Sequence, residues 1–485
     1  MRLAARTIHA AAWSGVSQGA RVAVSVGVTA ILARLLAPKD FGLLAMVVVV
    51  TGFLNLFRDF GLSAAVVQRR DLTEEHLSSS FWINVLAGCV LAVVLLATAP
   101  AVGRFYEDAR LRTVLRLLSA TFVVSSLGVV QSSLLVRELR FKCLAVVDIL
   151  ALSVAGSVAI VLALFGAGIW SLVWQQVVLS AVTALLLWVV SAWRPRWRFQ
   201  WAAARELLGF GLGLTGYNFV NYLNRNLDNL LIGKFLGAAS LGFYDLAYRL
   251  LLFPLANISQ VIGRVMFPSL SAIQHDKSVV RQAYLKTTRY VAAVSFPLMT
   301  GLFVLAPEFV RVLFGAQWER SILLVRILSL VGLSQSIGAT VGWIYMSQGR
   351  TDVLFRWGLA SVCVIATSFV VGLRRGVEGV AIAYAVASYI LAYPNLAIPF
   401  RFIDLSFASF AKRFAPILSA TALMGVGVTA LSLWLKSLGL AELPVLIASI
   451  GAGAVLYLML LWGLDRPTCR EALQLARTLG LPEAG

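Results

Sequence analysis

Apolar runs long enough to cross a bilayer recur along the whole chain, and they limit the fold before any motif is considered. They fall at 13–36, 41–60, 80–103, 113–136, 143–166, 169–192, 210–236, 245–268, 284–306, 321–347, 352–372, 377–400, 410–435 and 443–464. Inside hydrocarbon a backbone N–H or C=O has no water to bond, so an apolar run of about 20 residues becomes a helix that pairs them internally. Fourteen spans predict an all-α integral membrane protein with both ends on one side. The composition agrees, at 60% hydrophobic with a mean hydropathy of +0.87.

A net charge of +19 would suggest nucleic acid in a soluble chain. Here the basic residues sit mainly between spans, where they set orientation and meet anionic head groups. The expected partners include membrane lipids and exclude nucleic acid. Lys and Arg are more numerous in the connections that share a side with the N-terminus. That bias places both termini in the cytoplasm. Arg2 and Arg6 precede no short apolar region with a cleavage site, so the first residues read as the start of the first helix. Cys89, Cys143, Cys363 and Cys469 are scattered, and His9, His76 and His275 are far apart near helix ends. Neither set has metal-ligand spacing, and no cofactor is expected.

Polar residues inside the spans carry the functional signal. The stretch 213–237 has the length of a span yet contains Asn218, Asn221, Asn224, Arg225, Asn226, Asp228 and Asn229. A charge at the bilayer centre costs roughly 2.5–3.5 kcal/mol. Asn218, Asn221, Arg225, Asp228 and Asn229 share one helical face, which therefore borders a wet cavity or packs on a neighbouring helix. The first span has Ser14, Ser17, Gln18, Arg21, Ser25 and Thr29 at helical spacing, and the second has Thr51, Asn55, Arg58 and Asp59. The eighth has Asp245, Arg249, Asn257, Gln260 and Arg264. The fifth, sixth and eleventh to fourteenth spans are much more apolar. Twelve residues follow as substrate-binding candidates: Arg21, Asn55, Arg58, Asn218, Asn221, Arg225, Asp228, Asn229, Arg249, Asn257, Gln260 and Arg264. Structural readings stand beside these. Arg249 is placed to pair with Asp245, and Arg225 with Asp228, along one helix.

The chain also repeats itself. ILARLLAPKDFGLLA at 31–45 lies over LIGKFLGAASLGFYD at 231–245, Arg116-Leu117-Leu118-Ser119 over Arg326-Ile327-Leu328-Ser329, and Arg140 over Arg350. Two six-span copies follow, at 1–192 and 210–401, with two further spans and a short cytoplasmic tail at 402–485. Between the copies, 193–209 opens with WRPRWRFQW, whose alternating arginine and tryptophan suit a cytoplasmic interfacial linker. Two copies of even span number share one orientation, an arrangement in which transporters place a substrate path between halves.

Two six-span halves plus two spans resemble the multidrug/oligosaccharidyl-lipid/polysaccharide exporter superfamily, with its MATE-like fold. LDNLLIGKFLGAASLGFYDLAYRLLLFPLANIS at 227–259, with the earlier LARLLAPKDFGLLAM and FGLSAAVVQRRDLTEEH, is similar to its polysaccharide exporters of the Wzx and colanic-acid type. The resemblance implies a flippase that carries an undecaprenyl-pyrophosphate-linked oligosaccharide from the cytoplasmic to the periplasmic leaflet of the bacterial inner membrane, by alternating access. It also implies polysaccharide polymerase machinery as a further partner. Guanidinium groups suit a diphosphate and Asn, Gln and Ser suit sugar hydroxyls. A lipid II flippase and a MATE-type cation-coupled exporter are the alternatives in the same superfamily. A membrane glycosyltransferase or ligase is the alternative enzyme, against which stand the short outer loops.

Overall fold

The structure, a computed structural model, describes residues 2–59, 61–69, 71–254, 260–466 and 471. Within its helices the side chains at 2–18, 202–204, 206–221, 223, 224, 253, 254, 260, 261, 264, 265 and 267 lie outside that description. The chain divides into two compact units, Met1–Gly242 and Phe243–Gly485.

The first unit contains α1 (Arg2–Leu35), α2 (Pro38–Asn55), α3 (Leu62–Gln68), α4 (Glu74–Phe105), α5 (Arg110–Ser126), α6 (Val129–Arg137), α7 (Phe141–Leu164) and α8 (Ile169–Val190). α9 (Trp201–Pro254) starts there and continues into the second unit. It is two helices joined at Gly237, whose φ of 80° and ψ of 175° are not helical. The second unit then has α10 (Gln260–Ala272), α11 (Lys277–Val304), α12 (Ala306–Phe314), α13 (Ser321–Gly338), α14 (Val341–Ser347), α15 (Thr351–Leu373), α16 (Gly376–Phe400), α17 (Phe407–Ser437) and α18 (Glu442–Leu464). No strand occurs among the described residues. Ten helices are long and apolar enough to cross a membrane, or twelve if the bent pairs α5–α6 and α11–α12 each count as one. The expected fourteen is not reached among the described residues.

Local chemistry fixes where several helices begin. The Thr73 hydroxyl caps α4 by accepting from the backbone N–H of His76, and Glu74 and Glu75 face the positive end of the helix dipole. Asp276 caps α11, accepting from the backbone N–H groups of Ser278 at 2.8 Å and Val279 at 3.2 Å. Hydrogen bonding by Ser278, with help from Val279, holds the Asp276 carboxyl below the usual carboxylate range. His76 is thus accounted for by a helix cap.

Breaks in the backbone recur at matching points of the repeat. Ala37 between α1 and α2 is extended, and its partner Gly237 interrupts α9. The left-handed Leu139 (φ 56°) matches Gly349 (φ 64°), and Gly166 (φ 76°) matches Gly376 (φ 72°). α2 and the second arm of α9 cross at Gly42 and Gly242. A methyl group on Gly42 would fall onto the carbonyl oxygen of Ala238, and one on Gly242 onto that of Pro38. Only glycine allows the two backbones to meet this way.

Residues 191–200, between α8 and α9, have no regular secondary structure but are held as a strap against the start of α4. The backbone N–H of Gln200 donates to the Ser79 hydroxyl at 3.0 Å and that of Arg196 to Ser78 at 3.2 Å. The Trp82 indole donates to the Arg196 carbonyl at 3.0 Å, and its ring lies 4.5 Å from that of Trp197. α9 begins at Trp201, within the stretch expected as linker.

The second unit is built around one large apolar cluster. Leu270, Tyr284, Phe296, Ile337, Trp343, Phe400, Phe410 and Met424 are among its buried members. Charged side chains hold its periphery: buried Glu308 of α12 pairs with Lys436 and accepts from Ser432 at 2.8 Å, and Arg289 of α11 pairs with Asp465 just after α18.

A hydroxyl-lined cavity in the first unit

α2 stops at Asn55 because the chain turns. The Asp59 carboxylate accepts from the Gly61 N–H at 2.9 Å, and Leu62 N–H donates to the Asp59 carbonyl at 2.8 Å. Gly61, with φ of 75°, completes the turn and α3 follows. Asp59 is therefore a turn-forming residue. The C-terminal end of α3 is held by Arg137 of α6, whose guanidinium donates to the Val66 carbonyl at 2.9 Å and to that of Arg69.

On the facing side α5 and α6 meet at 41° around Gly128. The missing side chain there lets α8 approach, since a Cβ would lie 2.9 Å from Leu187 Cδ1 and 3.6 Å from Ala184 Cα. The bend frees a carbonyl at Leu127, and the Trp188 indole of α8 donates to it at 2.9 Å.

Between these elements lies a cavity of about 730 Å³, within the range of small-molecule sites. It is placed toward the end of the unit at which α2, α6 and α8 finish. Asn55, Arg58 and Ser63 contribute from one side, Thr121, Ser125, Ser132 and Ser133 from α5 and α6, and Gln176, Ser180 and Thr183 from α8. Arg58 is the single charged lining residue among the described residues. Its Nε is buried and has no hydrogen-bond partner among the described residues. A donor left so in a low-dielectric wall favours an acceptor, above all an anionic one.

Of the twelve candidates, the structure brings Asn55 and Arg58 into this cavity. Arg21 lies 3.6 Å from Asp148 of α7 in an ion pair, with both side chains about half exposed. Arg249 pairs with Asp245 at 2.7 Å, the structural reading of that spacing. Arg225 is exposed, while Asp228 and Asn229 are buried and the Asn229 N–H donates to Asp228 at 2.8 Å. The side chains of Asn218, Asn221, Gln260 and Arg264, and all of Asn257, lie outside the described residues. The sixth span, read from the sequence as much more apolar, supplies Gln176, Ser180 and Thr183. Their spacing of four and three residues is the available signal, since it sets them on one face of α8.

Many helices long and apolar enough to cross a membrane, with a cavity of mixed polarity among those of the first unit, define an all-α membrane protein. Solved structures agree at the level of fold. The lipid II flippase MurJ in an inward closed conformation superposes with a TM-score of 0.72 at 15% identity, covering 93% of this chain and 98% of that one. An inward-facing multidrug resistance MATE family transporter of the MOP superfamily does so with a TM-score of 0.64 at 14% identity, covering 81% and 96%.

The chain belongs to the polysaccharide biosynthesis protein family, which matches residues 31–323. The succinoglycan biosynthesis transport protein ExoT of Rhizobium meliloti (strain 1021) is 30% identical over 72% of this chain and 70% of its own. The teichuronic acid biosynthesis protein TuaB of Bacillus subtilis (strain 168) is 28% identical over 93% and 94%. The lipopolysaccharide biosynthesis protein WzxC of Escherichia coli (strain K12) is 28% identical over 94% and 89%.

Proposed function

We propose that this protein is a flippase for a lipid-linked oligosaccharide used in polysaccharide biosynthesis, and that it carries no enzymatic activity. Its copies at 1–192 and 210–401 form the two halves of the carrier, with 402–485 appended. It works in the bacterial inner membrane with both termini cytoplasmic, and passes its cargo to the polymerising machinery on the other side. On that orientation the cavity faces the cytoplasmic end, where the lipid-linked sugar is made.

One observation carries the reading: the Arg58 guanidinium lines a cavity whose other described lining residues offer hydroxyls, amides and apolar groups. That set suits a molecule with an anionic diphosphate and a polyol. A cationic drug would call for a carboxylate, and the described lining residues carry none. Asn55 stands beside Arg58 in the lining, and the exposed Arg225 is a second guanidinium for the diphosphate along the path.

Reconstituted transport of a fluorescent lipid-linked oligosaccharide tests this. Arg58→Gln slows transport roughly ten- to hundredfold at unchanged protein level, the value of one or two charge-assisted hydrogen bonds. Arg58→Lys recovers part of the rate, because lysine keeps the charge and loses the planar fork. Wild-type transport by Arg58→Gln would remove the residue from the path.

A further inference from the structure

The hydroxyls of the cavity are not equivalent to free hydroxyls, because several have already spent their proton. Thr121 donates to the Leu118 carbonyl at 2.5 Å, Ser125 to that of Phe122 at 3.3 Å, and Ser180 to that of Val177 at 2.9 Å. A hydroxyl has one hydrogen and two lone pairs, so each of these oxygens is left as an acceptor. All three line the cavity, two on α5 and one on the facing α8. Gln176, one turn from Ser180 on α8, adds an amide that can both donate and accept.

Such a wall sorts ligands by hydrogen-bond character. A diphosphate has only acceptors and gains nothing from acceptor oxygens. A sugar ring carries hydroxyls that donate. Resting on the flippase reading, we infer that Thr121, Ser125 and Ser180 form the saccharide-recognition surface of this protein, and that the anionic end of the same substrate lies at Arg58. The cavity then reads two parts of one molecule at two places. The sugar contacts fall on α5 and α8, and the phosphate contact falls on the turn that follows α2. Selection among lipid-linked sugars is set by the first group, and retention of any polyprenyl diphosphate by the second.

Two probes separate these roles: undecaprenyl pyrophosphate bearing one neutral disaccharide, and undecaprenyl pyrophosphate with no sugar. Their affinities for the full chain in nanodiscs are read by native mass spectrometry. The wild type holds the glycosylated lipid about tenfold more tightly than the bare one, as a few added hydrogen bonds would give. Combining Thr121→Val, Ser125→Ala and Ser180→Ala brings the ratio to within about twofold, with affinity for the bare lipid intact. That intact affinity also shows that the variant is folded. Arg58→Gln weakens both lipids together and keeps their ratio. The assignment is overturned if the triple variant keeps the preference, if it loses both lipids in parallel, or if the wild type shows no preference. A wild type that binds neither lipid overturns the flippase reading as well, whereas binding without a sugar preference overturns the sugar surface alone.

Discussion

Where the first copy has Thr121, Ser133, Ser180 and Thr183, the second has Val331, Trp343, Ile390 and Tyr393, at the same separation that joins Arg140 to Arg350. The backbone breaks at Leu139 and Gly349, and at Gly166 and Gly376, support that register. One frame therefore carries two interiors. In the first unit the region around the α5–α6 bend is hollow and lined by hydroxyl-bearing and apolar side chains together. In the second, Trp343 is buried in the apolar core beside Ile337 and Phe400, and a Cβ on Gly263 would meet its indole nitrogen at 2.7 Å. The positions matching the α8 stripe, Val386, Ile390 and Tyr393, are exposed and mostly apolar. A duplicated scaffold can thus keep its turns in both copies while the side chains at matched positions differ in polarity and bulk.

The contrast can be tested from both ends. The largest effect belongs to the filled copy. Trp343→Ala leaves a void in the second unit and costs about 3–5 kcal/mol, read as a fall in the thermal midpoint of the purified protein. Close behind comes the transplant of the second copy's residues into the first. Ser180→Ile with Thr183→Tyr fills the cavity, removes the Ser180 oxygen and replaces the Thr183 hydroxyl with a bulky phenol, slowing transport about a hundredfold while leaving the melting point close to wild type. Normal transport by that variant would mean that the hollow is not used.

Smaller effects come from the matched turns. Leu139 adopts a left-handed conformation that its partner fills with glycine, at a cost of about 1–2 kcal/mol for a residue with a side chain. Gly349→Leu destabilises by about that amount, and Leu139→Gly stabilises by somewhat less, about 0.5–1 kcal/mol, since a solvated glycine is more flexible when unfolded. Smallest of all are Gly128→Ala and its match Gly338→Ala. The added carbon meets the terminal methyl of Leu187 in one copy and, in the other, the amide of Asn395, whose oxygen accepts from the Trp357 indole. Each change stays within about 1 kcal/mol by the same thermal shift.

Hydropathy made the helices legible, because an uninterrupted apolar run in a bilayer has few other ways to pair its backbone. The repeat read from the sequence sets Ala37 over Gly237, and both positions are non-helical in the structure. The cavity was legible only in part. Asn55 and Arg58 stood out because polar side chains in an apolar span are costly. Ser180 did not, because a hydroxyl that bonds its own helix backbone costs little there and leaves no strong mark on hydropathy, and Gln176 and Thr183 are thinly spread among apolar neighbours. Roles also depended on partners far along the chain. Arg21 meets Asp148 on another helix, which no spacing within the first span reveals. Asp59 looked like part of a polar stripe, and its carboxylate in fact closes a turn.

The crossing at Gly42 and Gly242 has a consequence for how the chain can change over generations. Each glycine faces the other helix's backbone, at Ala238 and Pro38 respectively, so the two clashes that added carbons would create are relieved by one and the same parting of the helices. A lineage that accepted alanine at one position, and moved the backbones apart to admit it, would find the second glycine already dispensable. The pair is then inherited as a single character: kept together while the close crossing lasts, and free to drift together once it is lost.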